Sequence, residues 1–157
     1  MNEREMLHII KSLCREKQGA MLVEFALITP IILIVMAITL ELGMALHQAN
    51  VLEKHVMAGT SLAAHSDYPL DNTAVTRVTN LVRTGSINGG NDLLPGWNQA
   101  DASLQVTTQT YNLNGETVPY VRIEAEVPYV PMIKGIVDSW GTEDFVISAA
   151  HEEIFIP

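Results

Sequence analysis

A chain of 157 residues has the length of one ordinary domain, and it carries a formal charge of −9. From His47 onward five bases (Lys54, Arg77, Arg83, Arg122 and Lys134) oppose thirteen acids, a balance of −8. So acidic a part excludes nucleic acid as a partner, because phosphate binding needs a basic patch.

The first nineteen residues set Arg4, Lys11, Arg15 and Lys17 against Glu3, Glu5 and Glu16, a balance of +1. An apolar run follows from Ala20 to Leu46, and its 27 residues make a helix of about 40 Å, enough for a bilayer core of roughly 30 Å. Basic flanks stay in the cytoplasm, so the acidic C-terminal part is expected across the membrane. The only cysteine, Cys14, falls on the cytoplasmic side, and the exported part must fold without disulfides. No apolar segment of signal-peptide length precedes Cys14, which argues against a lipoprotein signal. Ordinary secretory cleavage is also disfavoured. The apolar run is too long, and "HQA" before Asn50 puts His47 where a small residue is needed.

Two carboxylates interrupt the run, Glu24 near its start and Glu41 near its end. Each costs about 2.5–3.5 kcal/mol in hydrocarbon on insertion scales. Glu41 lies near the outer interface, where an acid is expected to reach water. Glu24 has no such exit. It is the fifth residue after Gly19, in the order basic residues, glycine, apolar helix: G|AMLVEF. This order resembles a class III signal sequence. The longer string "GAMLVEFALITPIILIVMAITLELGMALHQANVLEKHVMAG", with its "VEFAL" core, Pro30 and the triplet Glu41, Leu42, Gly43, resembles the N-terminal signature of TadE-like proteins. These are pseudopilins or minor pilins of the tight-adherence (Flp) type IV pilus system. The resemblance covers roughly residues 17–65. Leu42 stands where an aromatic is common in the family.

The resemblance implies cleavage by a prepilin peptidase between Gly19 and Ala20. A glycine there lets a protease approach the extended backbone. It also implies subunit assembly through Glu24 and Phe25, the carboxylate meeting the N-terminal amine of a neighbouring subunit. A buried carboxylate is tolerable when an opposite charge compensates it. Other implied partners are sibling pilin-like subunits and the inner-membrane assembly platform, and the implied roles are pilus biogenesis and adhesion. Pro30 removes a helix hydrogen bond. It reads equally as a kink that helps subunits pack and as a kink that membrane helices tolerate.

Beyond the run, Leu42, Ala45, Ala49, Leu52, Val56, Gly59 and Ala63 recur at spacings of three and four, with Gln48, Lys54, His55 and Ser61 off the stripe. One helix from Ala20 to His65 is expected, its second half packed on a domain. Pro69 in "SDYPLDN" bars Tyr68 from helical geometry. Ala74, Val75, Val78, Leu81 and Val82 mark one face of a second helix, with Asp71 or Asn72 as N-cap and Gly85 as stop. Residues 85–101 read as a loop. Asn88, Asn91 and Asp92 match no EF-hand spacing, and a simple turn is the expectation there.

Three strands follow. Leu104, Val106 and Thr108 alternate with Gln105, Thr107 and Gln109. An Asn-Gly pair in "NLNGE" marks a hairpin turn. Val121, Ile123, Ala125 and Val127 alternate with Arg122, Glu124 and Glu126, and Pro128 and Pro131 end that strand. "MIKGIVDSWG" reads as a short helical turn, and Phe145, Ile147 and Ala149 as the inward face of a last strand.

The expected architecture is α+β and pilin-like. A long N-terminal transmembrane helix continues into a small domain with a second helix and a three- or four-stranded antiparallel sheet. The expected layout is a leader over 1–19, a membrane helix over 20–46 and a periplasmic domain over 47–157. No enzyme is expected. His47, His55, His65 and His151 are scattered, no pair has zinc-site spacing, and no nucleophile elbow, P-loop or dinucleotide turn appears. No cofactor or metal is implied. The alternative is a single-pass anchored sensor or scaffold that keeps its leader.

Overall fold

A computed structural model of the chain describes residues 17–113, 115–133 and 145–156. The elements are α1 (Lys17–Ala64), α2 (Asn72–Thr84), a 3-10 turn (Pro95–Asn98), β1 (Ser103–Leu113), β2 (Glu116–Pro128) and β3 (Val146–Ile154). The leader up to Glu16 and the turn expected after Ile133 lie outside the described residues. The chain divides into two compact units, one ending at Leu40 and the other running from Glu41 to Pro157.

In the first unit α1 is apolar and its side chains are unburied; Met21, Leu22, Val23, Leu27, Ile31 and Leu33 are all more than half exposed. Its two threonines satisfy their own hydroxyls. Thr29 donates to the Phe25 carbonyl at 2.6 Å and Thr39 to the Val35 carbonyl at 2.8 Å, which satisfies both hydroxyls within an apolar helix.

The second unit is an antiparallel sheet, order β1-β2-β3, with helices on one face. Across the β1–β2 hairpin Leu113 opposes Glu116, and Gly115 takes φ +91°. The inward residues of β2, Val121, Ile123, Ala125 and Val127, are essentially inaccessible. They pack with Leu52, Val56, Ala63 and Ala64 of α1 and with Val78 and Val82 of α2. Burying such aliphatic side chains contributes about 1.5–3 kcal/mol each. At Gly59 an added Cβ would stand 2.5 Å from a methyl of Val82, so the missing side chain lets α1 and α2 approach closely. Asp71 caps α2 through the Ala74 amide at 2.6 Å, and Gly85 closes it at φ +73°. The last residues return to the end of α1, where the Ile156 amide donates to the Ala64 carbonyl at 3.0 Å.

Four expectations are corrected. The buried stripe of α1 passes through Gln48, which is 6% exposed, and not through Leu42, which is 60% exposed. The rest of the expected stripe holds: Leu52, Val56, Gly59 and Ala63 are buried, and Ala45 and Ala49 are half-buried. Phe145 is half exposed, although it begins the inward alternation of β3, because it precedes the strand and sits edge-on to Tyr129 at 5.8 Å. The loop over 85–101 holds the 3-10 turn and delivers Trp97 to the core. Arg83 grips Asp92 through two hydrogen bonds, 3.0 and 2.8 Å, and lies 5.5 Å from the Trp97 ring centre. The fourth correction concerns Glu41 and is described with the site.

Gly96 makes that turn feasible. A Cβ there would stand 2.0 Å from the Pro128 carbonyl oxygen. Gly96→Ala is expected to cost about 1–3 kcal/mol through forced backbone displacement. Thermal unfolding of the full chain in detergent checks this, and an unchanged Tm would contradict the close approach.

Candidate assembly and anchoring site

Of the residues singled out for processing and assembly, Gly19, Ala20, Glu24, Phe25 and Pro30 all lie on α1 in the first unit. Glu24 is exposed and has no hydrogen-bond or ion-pair partner among the described residues, and Phe25 is 67% exposed. Both are available to another chain. Pro30 stands inside α1, which remains helical through it. The proline has no N–H to donate to the Ala26 carbonyl, and the Thr29 hydroxyl one residue earlier adds a second bond at the Phe25 carbonyl.

Glu41 behaves otherwise. It opens the second unit and is 9% exposed, so it does not simply reach water as expected from its position near the run's end. Its Oε1 accepts from the Tyr129 hydroxyl at 2.6 Å and from the Met132 amide at 2.9 Å, while Oε2 accepts from the Ile133 amide at 3.3 Å. The same hydroxyl also lies 3.2 Å from the Glu41 carbonyl oxygen. Burial, then the hydrogen bond to Glu41, pushes the Tyr129 hydroxyl well above its ordinary pKa. The phenol therefore stays a donor at any physiological pH. Sequence reasoning missed this bonding because its partners lie 88 to 92 positions away. The one available signal was a carboxylate placed inside an apolar run.

The family comparison covers the stretch that holds both carboxylates. Residues 19–60 match the family model described as TadE-like protein. That stretch of the chain is similar to the TadE-like family. No curated protein and no solved structure gives a significant match. The matched stretch lies wholly on α1, and α2 and the sheet stand outside it. One long apolar helix near the N-terminus is compatible with a membrane anchor.

His55 and His65 each place Nδ1 within 2.7 and 2.8 Å of the carbonyl one turn back, at Val51 and Ser61. Among the described residues no group of three or more His, Cys, Asp or Glu is arranged to hold a metal. On the outer sheet face Arg122 bonds Glu124 and Glu152, and Tyr111 stacks on Tyr120 at 4.0 Å. Hydrogen bonds to Tyr120 and then Glu152 push the Tyr111 hydroxyl up to about 12.

Proposed function

We propose that this protein is a TadE-like minor pilin or pseudopilin of a tight-adherence pilus. In this reading residues 1–19 are a cytoplasmic leader, and prepilin peptidase cleaves between Gly19 and Ala20. Residues 20–46 form the membrane helix, and residues 47–157 lie in the periplasm before any incorporation into the pilus. Cleavage leaves a free amine at Ala20. Glu24 then compensates the amine of a neighbouring subunit, and Phe25 packs beside it.

The observation that carries this reading is Glu24 itself. It is an exposed carboxylate on a long apolar helix, one turn from the proposed new amine and without a partner among the described residues. Such a charge is costly in hydrocarbon alone and tolerable against an opposite charge. The partners in this reading are sibling pilin-like subunits, the peptidase and the inner-membrane assembly platform, and the outcome is pilus biogenesis and adhesion.

The test is the N-terminal sequence of the protein from cell envelopes, with and without the peptidase. A start at Ala20 that depends on the peptidase is the expected result. A retained leader in both strains would instead make the chain a permanent single-pass anchor.

A further inference from the structure

Five consecutive residues after β2, Tyr129, Val130, Pro131, Met132 and Ile133, are all apolar or aromatic. Met132 is 73% exposed, and beside this loop Phe145 and Val146 are 52% and 42% exposed. Tyr129 bonds the Phe145 carbonyl through its amide at 2.8 Å, so the loop and the start of β3 form one patch. Glu41 holds this loop against α1. On the helix at and after that level, Leu42, Met44 and Leu46 are exposed as well, at 60%, 37% and 58%. An apolar patch of this kind on a folded domain marks an interaction surface.

Helix length says what covers it. The apolar run from Ala20 to Leu46 is longer than a hydrocarbon core of roughly 30 Å. Ala20 to Leu40 alone accounts for about that thickness at 1.5 Å per residue. Glu41 to Leu46 then falls in the headgroup region, where aromatic side chains are favoured. Loop amides that turn in against the helix rather than out to water need a protein acceptor. The Glu41 carboxylate meets that need by accepting from Met132 and Ile133.

We propose that the Tyr129–Ile133 loop, with Phe145, is a collar that seats the outer domain on the lipid surface, and that Glu41 is the positioning residue that makes the collar possible. This rests on the membrane-anchor reading above. In it, the charge near the end of the anchor serves the seat of the domain, whereas the charge near its start serves assembly.

The test uses the full chain with Cys14→Ser, carrying a single bimane-labelled cysteine at Met132→Cys, Ile34→Cys or Thr107→Cys. The variants are placed in phosphatidylcholine–phosphatidylglycerol vesicles that contain brominated lipid. Ile34 lies in the middle of the anchor and Thr107 on the exposed face of β1. The expected result is strong lipid quenching at 34, at least half as much at 132, and none at 107. Quenching at 34 with a 132 label that behaves like 107, open to aqueous iodide, overturns the collar and leaves the anchor standing. Absence of quenching at 34 overturns the anchor reading and the collar with it.

Discussion

Glu24→Ala is expected to be cleaved normally, held in the membrane and assembled poorly, whereas Gly19→Trp is expected to remain a full-length precursor. The two variants separate processing from assembly because Gly19 borders the proposed scissile bond and Glu24 lies one turn beyond it. Replacing the glycine puts a bulky side chain where a protease must approach the backbone. Replacing the glutamate leaves that bond untouched and removes only the charge. Glu24 is exposed and has no partner among the described residues, so its loss should not lower the stability of the monomer. What it removes is compensation for a neighbour's amine inside a low-dielectric assembly, where an uncompensated charge costs several kcal/mol. Piliation should therefore fall at least tenfold while the protein level stays near normal. Immunoblots for cleavage and sheared-pilus yields are the readouts. Cleavage of both variants with unchanged piliation would sink the assignment.

The second large effect is expected at Glu41. Glu41→Ala leaves the Tyr129 hydroxyl and the amides of Met132 and Ile133 without their acceptor. Unsatisfied buried donors cost about 1–3 kcal/mol each, and partial access to water lessens the sum. A loss of about 2–4 kcal/mol in the outer domain is expected. Glu41→Gln keeps one acceptor oxygen and should lose about half as much. Hydrogen exchange locates the effect, since the Met132 and Ile133 amides should exchange tenfold or more faster in Glu41→Ala, a change of about 1.4 kcal/mol or more in local opening. Amides of β2 near Ile123, deep in the core, should change less. Equal protection of Met132 and Ile133 in the variant and the parent chain would show that the carboxylate does not hold the loop.

Much of the fold was legible because it obeys local periodicity. The alternation in β2 put Val121, Ile123, Ala125 and Val127 inside, and they are inside. Asp71 and Gly85 bound α2 as the sequence signals require, since capping depends on neighbours three or four residues away. Gln48 was misplaced because polarity was used as a guide to exposure. It sits seven residues after Glu41, two helical turns along the same face, and that face is buried as far as Ala63. Trp97 was missed for a different reason. Its loop has turn composition, and only the space left at Gly96 beside Pro128 brings the ring inward.

The sequence by itself determined the long apolar helix, and it carries the processing and assembly proposals at Gly19 and Glu24. Apolar length, basic flanks and the spacing from Gly19 to Glu24 are properties of a continuous segment, readable without knowing what lies beyond it. Only the tertiary structure decided what Glu41 does. A carboxylate near the end of an apolar run looks the same whether water or a distant loop satisfies it. Its donors on Tyr129, Met132 and Ile133 are 88 to 92 residues away, and no local pattern in the chain specifies a pairing across that distance.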